Sequence, residues 1–297
     1  MRILITGRRG QVARSLIERG AALGHEMVAL GRPELDLAGD QAAISAAALA
    51  VDADAIVSAA AYTAVDRAEE DHESAFAVNA AGPAAIAHAA RRMGLPLVHL
   101  STDYVFDGSK PSPYVETDEA GPTGVYGASK LAGERAVLEA HDNVTVLRTA
   151  WVYSPFGDNF VKTMLRLATD RPAVRVVADQ YGNPTNALDI ADGVLAVASN
   201  LIAGTRADQR GIFHMTGSGQ ASWAQFAEAI FTVSAARGGP SAEVQSIPTS
   251  LYPTAAVRPA NSRLDCGKLA QFHGVRLPDW RLSLPPVVGR LLEELKA

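Results

Sequence analysis

The 297-residue chain carries a formal net charge of −5, with 48% hydrophobic and 20% charged residues. That balance is ordinary for a water-soluble globular protein, and the mild acidity offers no basic surface to nucleic acid. A lone cysteine, Cys266, excludes an internal disulfide and fits a reduced, cytoplasmic setting, in which it reads as a small buried hydrophobe rather than a nucleophile.

The opening run Ile3-Leu4-Ile5 is too short for a signal peptide. No uninterrupted apolar stretch approaches the roughly 18 residues of a membrane span, so no membrane partner is expected. In chain order, Arg2–Thr6 reads as a buried strand, Gln11–Leu23 as a helix and His25–Leu30 as a second strand. A helix over Gln41–Ala50 leads to a strand at Ala55–Ala59, and a long helix over Ser74–Met93 leads to a strand at Leu97–Ser101. A helix over Tyr126–Glu139 and a strand at Val144–Thr149 follow. This alternation predicts an α/β fold, a parallel sheet with helices on both faces.

Past residue 150 the alternation weakens. Asn159–Asp170, Asp189–Ser199 and Ser222–Ala236 read as helices, and Leu284–Ala297 as a terminal one. Prolines at 248, 253, 259, 278, 285 and 286 mark irregular loops. The chain therefore divides into a nucleotide-binding part, 1–150, and a mainly substrate-binding lobe, 151–297, some of whose segments return to the first part.

Three motifs carry chemistry. Thr6-Gly7-Arg8-Arg9-Gly10-Gln11-Val12-Ala13 joins the first strand to the first helix, where glycine lets the backbone approach a pyrophosphate on the helix N-terminus. Taken alone, it is also compatible with a plain tight turn. Ser101-Thr102-Asp103 ends a strand at the edge where parallel sheets bind ligands, and a hydroxyl there can hydrogen-bond a carbonyl oxygen or merely terminate the strand. Tyr126-Gly127-Ala128-Ser129-Lys130 sets a phenol and an ammonium on one helix face. The ammonium is expected to lower the phenol's pKa and make it a usable proton donor; a surface Tyr–Lys pair is the plain alternative.

In this order the three motifs resemble the short-chain dehydrogenase/reductase superfamily, and the likeness extends to the dTDP-4-dehydrorhamnose reductase family along nearly the whole chain. Ala59-Ala60-Ala61-Tyr62-Thr63-Ala64-Val65-Asp66, Lys130-Leu131-Ala132-Gly133-Glu134, Arg148-Thr149-Ala150-Trp151 and Asp179-Gln180-Tyr181-Gly182-Asn183-Pro184-Thr185 carry it. Arg258-Pro259-Ala260-Asn261-Ser262-Arg263-Leu264 is its most specific part. The resemblance implies a Rossmann-like doubly wound sheet and NADPH-dependent reduction, NADH being possible, of the C4 keto group of a nucleotide sugar. It implies Tyr126 as proton donor, Lys130 as its partner and ribose ligand, and Thr102 as the hydroxyl that orients the carbonyl. Gly7, Gly10, Gln11 and Val12 would line the pyrophosphate, Asp36 and Leu37 the adenine, and Ala61, Tyr62 and Thr63 the cofactor. Asp103, Trp151, Arg258 and Arg263 would face the substrate.

Two alternatives share these features: a sugar-nucleotide epimerase that retains its cofactor, and a dinucleotide-binding regulatory subunit like that of methionine adenosyltransferase. Some family members bridge two subunits through magnesium, but two of the acidic positions hold Ser15 and Leu188 here. No metal site and a monomer or weak homodimer are therefore expected. The second strand ends in Gly31-Arg32 rather than an acid, so Arg32 is a candidate donor to a 2′-phosphate, with Arg8 and Arg9 nearby and Glu34 a possible competitor.

Overall fold

The computed structural model describes residues 1–204 and 206–294. Six strands among them form one parallel sheet: β1 (Arg2–Thr6), β2 (Glu26–Leu30), β3 (Ala55–Ser58), β4 (Leu97–Thr102), β5 (Val144–Thr149) and β6 (Gly211–His214). Their order is β6-β5-β4-β3-β1-β2, with every pairing parallel. The chain leaves β1 for β2 on one side and returns to β3 on the other. The crevice between β1 and β3 is thus the point where the winding reverses, the usual ligand position in such sheets.

Strand alternation assigns the two faces. Ile3 and Ile5 of β1 pack with Val57, Val98, Leu147 and Phe213 beneath helices α1 (Gln11–Ala22) and α6 (Ala187–Ala203). Leu4, Ile56, Leu97 and Val146 point the other way, onto α2 (Gln41–Leu49), α3 (Gly82–Met93) and α4 (Val125–Ala140). A smaller lobe pairs Ala173–Val177 with Glu243–Ile247. Helices α5 (Phe160–Asp170), α7 (Trp223–Ala235) and α8 (Trp280–Glu294) surround that pair, around a core that includes Tyr153, Phe226, Ile230 and Val288. Ser222 and Gln225 close a reciprocal capping box on α7.

Several elements differ from the sequence reading, among them the strands Ala173–Val177 and Glu243–Ile247 and the helix Gly267–His273, none of which was expected. The helix expected over Ser74–Met93 starts at His72 and passes through a π-helical turn, Ala77–Ala81, before α3 begins. Buried Asn79 lies in that turn. The terminal helix begins at Trp280 and keeps Pro285 and Pro286 inside it, because buried Leu284, Val287 and Val288 hold it against the lobe; residues 295–297 of the expected span lie outside the described residues. β6 was not expected, and it completes the large sheet. No helix among the described residues is long and apolar enough to cross a membrane.

Candidate active site

The glycine turn at the switch point is built for close approach. Gly7 has φ +97°, and a Cβ there would come to 3.2 Å from that of Ala60. The Thr6 hydroxyl accepts the N–H groups of Ala59 and Ala60 at 3.1 and 3.2 Å, tying the loop after β3 to the end of β1. Gly10 differs: its φ of −65° suits any residue, and a Cβ would meet no protein atom within 4 Å. No side chain caps α1 behind it. The first N–H groups of the helix therefore face an open cradle that suits a pyrophosphate, and a Cβ would fill it.

Gln11 turns its side chain elsewhere. Its Oε1 accepts from Ser154 at 2.7 Å and Asn159 at 3.2 Å, so only its backbone remains for a phosphate. Val12 is half-buried against the core. Asp36 is exposed and caps the Ala38 N–H at 3.1 Å, while Leu37 is 6% exposed, a core side chain first. Glu34 takes Arg8 at 2.7 Å rather than Arg32, and Arg32 is exposed.

The loop Ala61–Thr63 is held by Asn79, which the sequence reading did not single out. Its Oδ1 accepts the Tyr62 N–H at 2.8 Å, and its Nδ2 donates to the Tyr62 carbonyl at 3.1 Å and to Ser129 Oγ at 2.9 Å. The available signal was an amide among alanines, ahead of Gly82-Pro83. A π turn supplies the extra residue that aims it. The Tyr62 hydroxyl donates to Asp71 at 3.1 Å, and Thr63 is exposed.

Tyr126 stands in the first turn of α4. Gly124 offers that helix no side-chain cap; instead the Val125 N–H donates to Glu69 at 2.9 Å, a second residue not anticipated. Gly127 is required because a Cβ would lie 2.1 Å from the Tyr104 carbonyl oxygen. Tyr104 meets Tyr126 edge-on, ring centres 5.5 Å apart. Burial pushes the Tyr126 phenol up to about 12; the Thr102 hydroxyl opposes that shift and the charge of Asp103 adds to it.

Lys130 is 2% exposed, and its Nζ donates to the Leu100 carbonyl at 2.7 Å. Burial pulls this ammonium down to about 8, with Glu134 opposing. Lys130 is not among the groups that shift this phenol, so in place of the expected lowering by the ammonium there is a rise caused by burial. Thr102 donates to Asp103 Oδ1 at 3.0 Å. Asp103 is 3% exposed, its Oδ2 finds no partner, and burial pushes it up to about 6 against the pull of the Ser262 and Thr102 hydroxyls.

Beneath Lys130, Arg148 grips Glu134 through two bonds of 2.8 and 2.6 Å, and Ser101 donates to the same carboxylate. Trp151 has φ +49° and stacks on Trp223 at 3.5 Å, with Gly182 against its indole. That stacking gives it a packing role whatever else it touches. Arg258 and Arg263 were expected to face a diphosphate. Instead Arg258 binds both oxygens of Asp66, at 3.0 and 2.6 Å, and Arg263 bonds Asn261, Gln220 and the Pro111 carbonyl. Protein oxygens occupy both forks, so neither presents a free one. Among the described residues no three His, Cys, Asp or Glu side chains gather as a metal site.

A glycine cradle at the switch point, a strand-end hydroxyl and a Tyr-x-x-x-Lys helix define a short-chain dehydrogenase/reductase. The family model described as the RmlD substrate binding domain matches residues 1–293. The dTDP-4-dehydrorhamnose reductase of Sinorhizobium fredii is 50% identical over 296 residues, covering 100% of this chain and 99% of the relative. The chain belongs to the dTDP-4-dehydrorhamnose reductase family. The crystal structure of a Clostridium acetobutylicum dTDP-4-dehydrorhamnose reductase superposes with a TM-score of 0.90 at 34% identity, covering 100% of both chains. That of the Bacillus anthracis enzyme, in complex with NADP, gives 0.88 at 32% identity over 99% of each.

Proposed function

We propose that this chain reduces the C4 keto group of dTDP-4-dehydro-L-rhamnose to dTDP-L-rhamnose with NADPH, NADH being a possible substitute. The observation that carries the reading is the placement of Thr102 at the carboxyl end of β4, with Tyr126 and Lys130 one turn apart on α4, in a member of a reductase family. Bound in the cradle, the cofactor would supply hydride to C4. Tyr126 gives its proton to the C4 oxygen, Thr102 orients that oxygen, and Lys130, one helical turn on, opposes the charge left on the phenolate. Gly7, Gly10 and the backbone of Gln11 and Val12 hold the pyrophosphate, Lys130 and Ala61–Thr63 the nicotinamide ribose and its surroundings, and Asp36 with the backbone of Leu37 the adenine side. Asp103 and Trp151 border the sugar.

Arg32 is free of Glu34, which Arg8 takes, and this favours a 2′-phosphate. Residues 1–150 with α6 and β6 serve the cofactor; most of the remainder serves the substrate. We read the protein as cytoplasmic and as a monomer or weak homodimer.

Oxidation of NADPH and of NADH with the dTDP-4-keto sugar, measured side by side in wild type and Arg32→Ala, tests this. Net oxidation with NADPH at least as good as NADH is expected, and Arg32→Ala should lower the NADPH-to-NADH ratio of kcat/KM by about tenfold, the worth of one charge-assisted contact. Sugar conversion without net cofactor oxidation would replace the reading with an epimerase.

A further inference from the structure

The strap ending in Arg258-Pro259-Ala260-Asn261-Ser262-Arg263-Leu264 is fastened along its later half. Asn261 Nδ2 donates to the Lys110 and Ser112 carbonyls at 2.6 and 2.8 Å, and the Leu264 N–H donates to Asn183 at 2.9 Å. Pro259 closes on Gly108, where a Cβ would come within 2.4 Å. Ser262 lies against Asp103. Its earlier half is exposed, with Leu251, Tyr252 and Val257 56%, 56% and 65% accessible.

One carboxylate joins this half to the cofactor side. Asp66 accepts both terminal nitrogens of Arg258 and the Ala256 N–H at 3.0 Å, across 190 residues of chain. It sits on the short helix Val65–Ala68, between the loop Ala61–Thr63 and Glu69, which caps the helix of Tyr126. The charge of Arg258 also reaches Tyr104, the ring that meets Tyr126 edge-on. Exposed single ion pairs contribute little. This one is half-buried and bidentate, and it includes a backbone donor, the geometry in which such a pair fixes a position.

We propose that Asp66 and Arg258 are positioning residues for the reduction: their pair clasps the strap over the catalytic tyrosine, seating Ser262 on Asp103 and Tyr104 on Tyr126, without either residue touching substrate. The proposal rests on the reductase reading for its kinetic arm only. Asp66→Asn, Arg258→Gln and the double variant, all in the full chain, test it. Substrate KM should rise about tenfold, kcat less, the double variant matching the singles, while the NADPH dissociation constant stays within about twofold. Amide hydrogen exchange over 252–260 should quicken in each variant. Additive effects, unchanged KM and exchange, or NADPH affinity lost in step with KM would overturn the clasp. Wild type that fails to turn over the keto sugar would sink the reductase reading, and the exchange comparison would still decide the clasp.

Discussion

The floor of the cleft and its rim each hold a buried carboxylate, Glu134 at 1% exposure and Asp103 at 3%. On the floor, Glu134 receives two donors from Arg148 and one from Ser101, and Arg148 spreads its charge over the Phe106 ring 5.0 Å away. On the rim, Asp103 receives the Thr102 hydroxyl on one oxygen; its other oxygen has no hydrogen bond of ordinary length, although the Ser262 hydroxyl lies near enough to favour the charged carboxylate. A buried charge that is fully bonded holds a geometry; one that is under-bonded keeps capacity to bond something else. The difference separates support from chemistry between two buried carboxylates of one site.

The comparison can be broken most forcefully at the rim. Tyr126→Phe keeps the ring against Tyr104 but has no proton to give, so kcat should fall by ~10²–10⁴-fold with NADPH binding intact. Single-turnover and binding measurements on the variant check both halves, and turnover near wild type would move the acid elsewhere.

Glu134→Gln tests the floor. It leaves Arg148 charged and buried with a neutral partner, and unfolding free energy should drop by about 3–5 kcal/mol in denaturant titrations. A loss below about 1 kcal/mol would mean that water reaches the pair.

Asp103→Asn should do the reverse. Its raised pKa means that the folded state favours the protonated acid, so the stability it contributes is complete below the unfolded value and lost as pH rises through about 6. The amide keeps an acceptor for Thr102 and never ionises. The variant should therefore be more stable than wild type at pH 7.5, by roughly 1–3 kcal/mol, with the gap closing by pH 4. Thermal melts at both pH values check this, and a destabilised variant at pH 7.5 would show that Asp103 has partners equal to those of Glu134.

The strands β1 to β5 are legible because each is a short apolar run bounded by turn residues and spaced by a helical pattern. β6 is not: Ile212 and Phe213 give it two apolar side chains, and its strand conformation comes from pairing with β5, far upstream. The straight helix expected over Ser74–Met93 fails at Asn79, whose bonds to Tyr62 and Ser129 are tertiary and leave no periodic trace. The grouping of Thr102, Tyr126 and Lys130 is legible because a strand end and one helix face determine it. The partners of Asp66, Val125 and Arg148 are invisible for the opposite reason. Each acid's donor lies on another element, and nothing in a local pattern says that Arg258 will meet Asp66 rather than a phosphate.

β6 belongs to the large sheet and α6 packs on its face, yet both follow the small lobe's first helix in the chain. During synthesis β5, buried along its whole length in the finished molecule, emerges with a bare edge and one uncovered face, and must wait for Gly211–His214 and Ala187–Ala203 to close them. Residues 1–150 are consequently not a cassette. A piece cut after Thr149 would carry an open, apolar strand into solution, and a graft of this cradle onto another scaffold would have to bring the later segments with it.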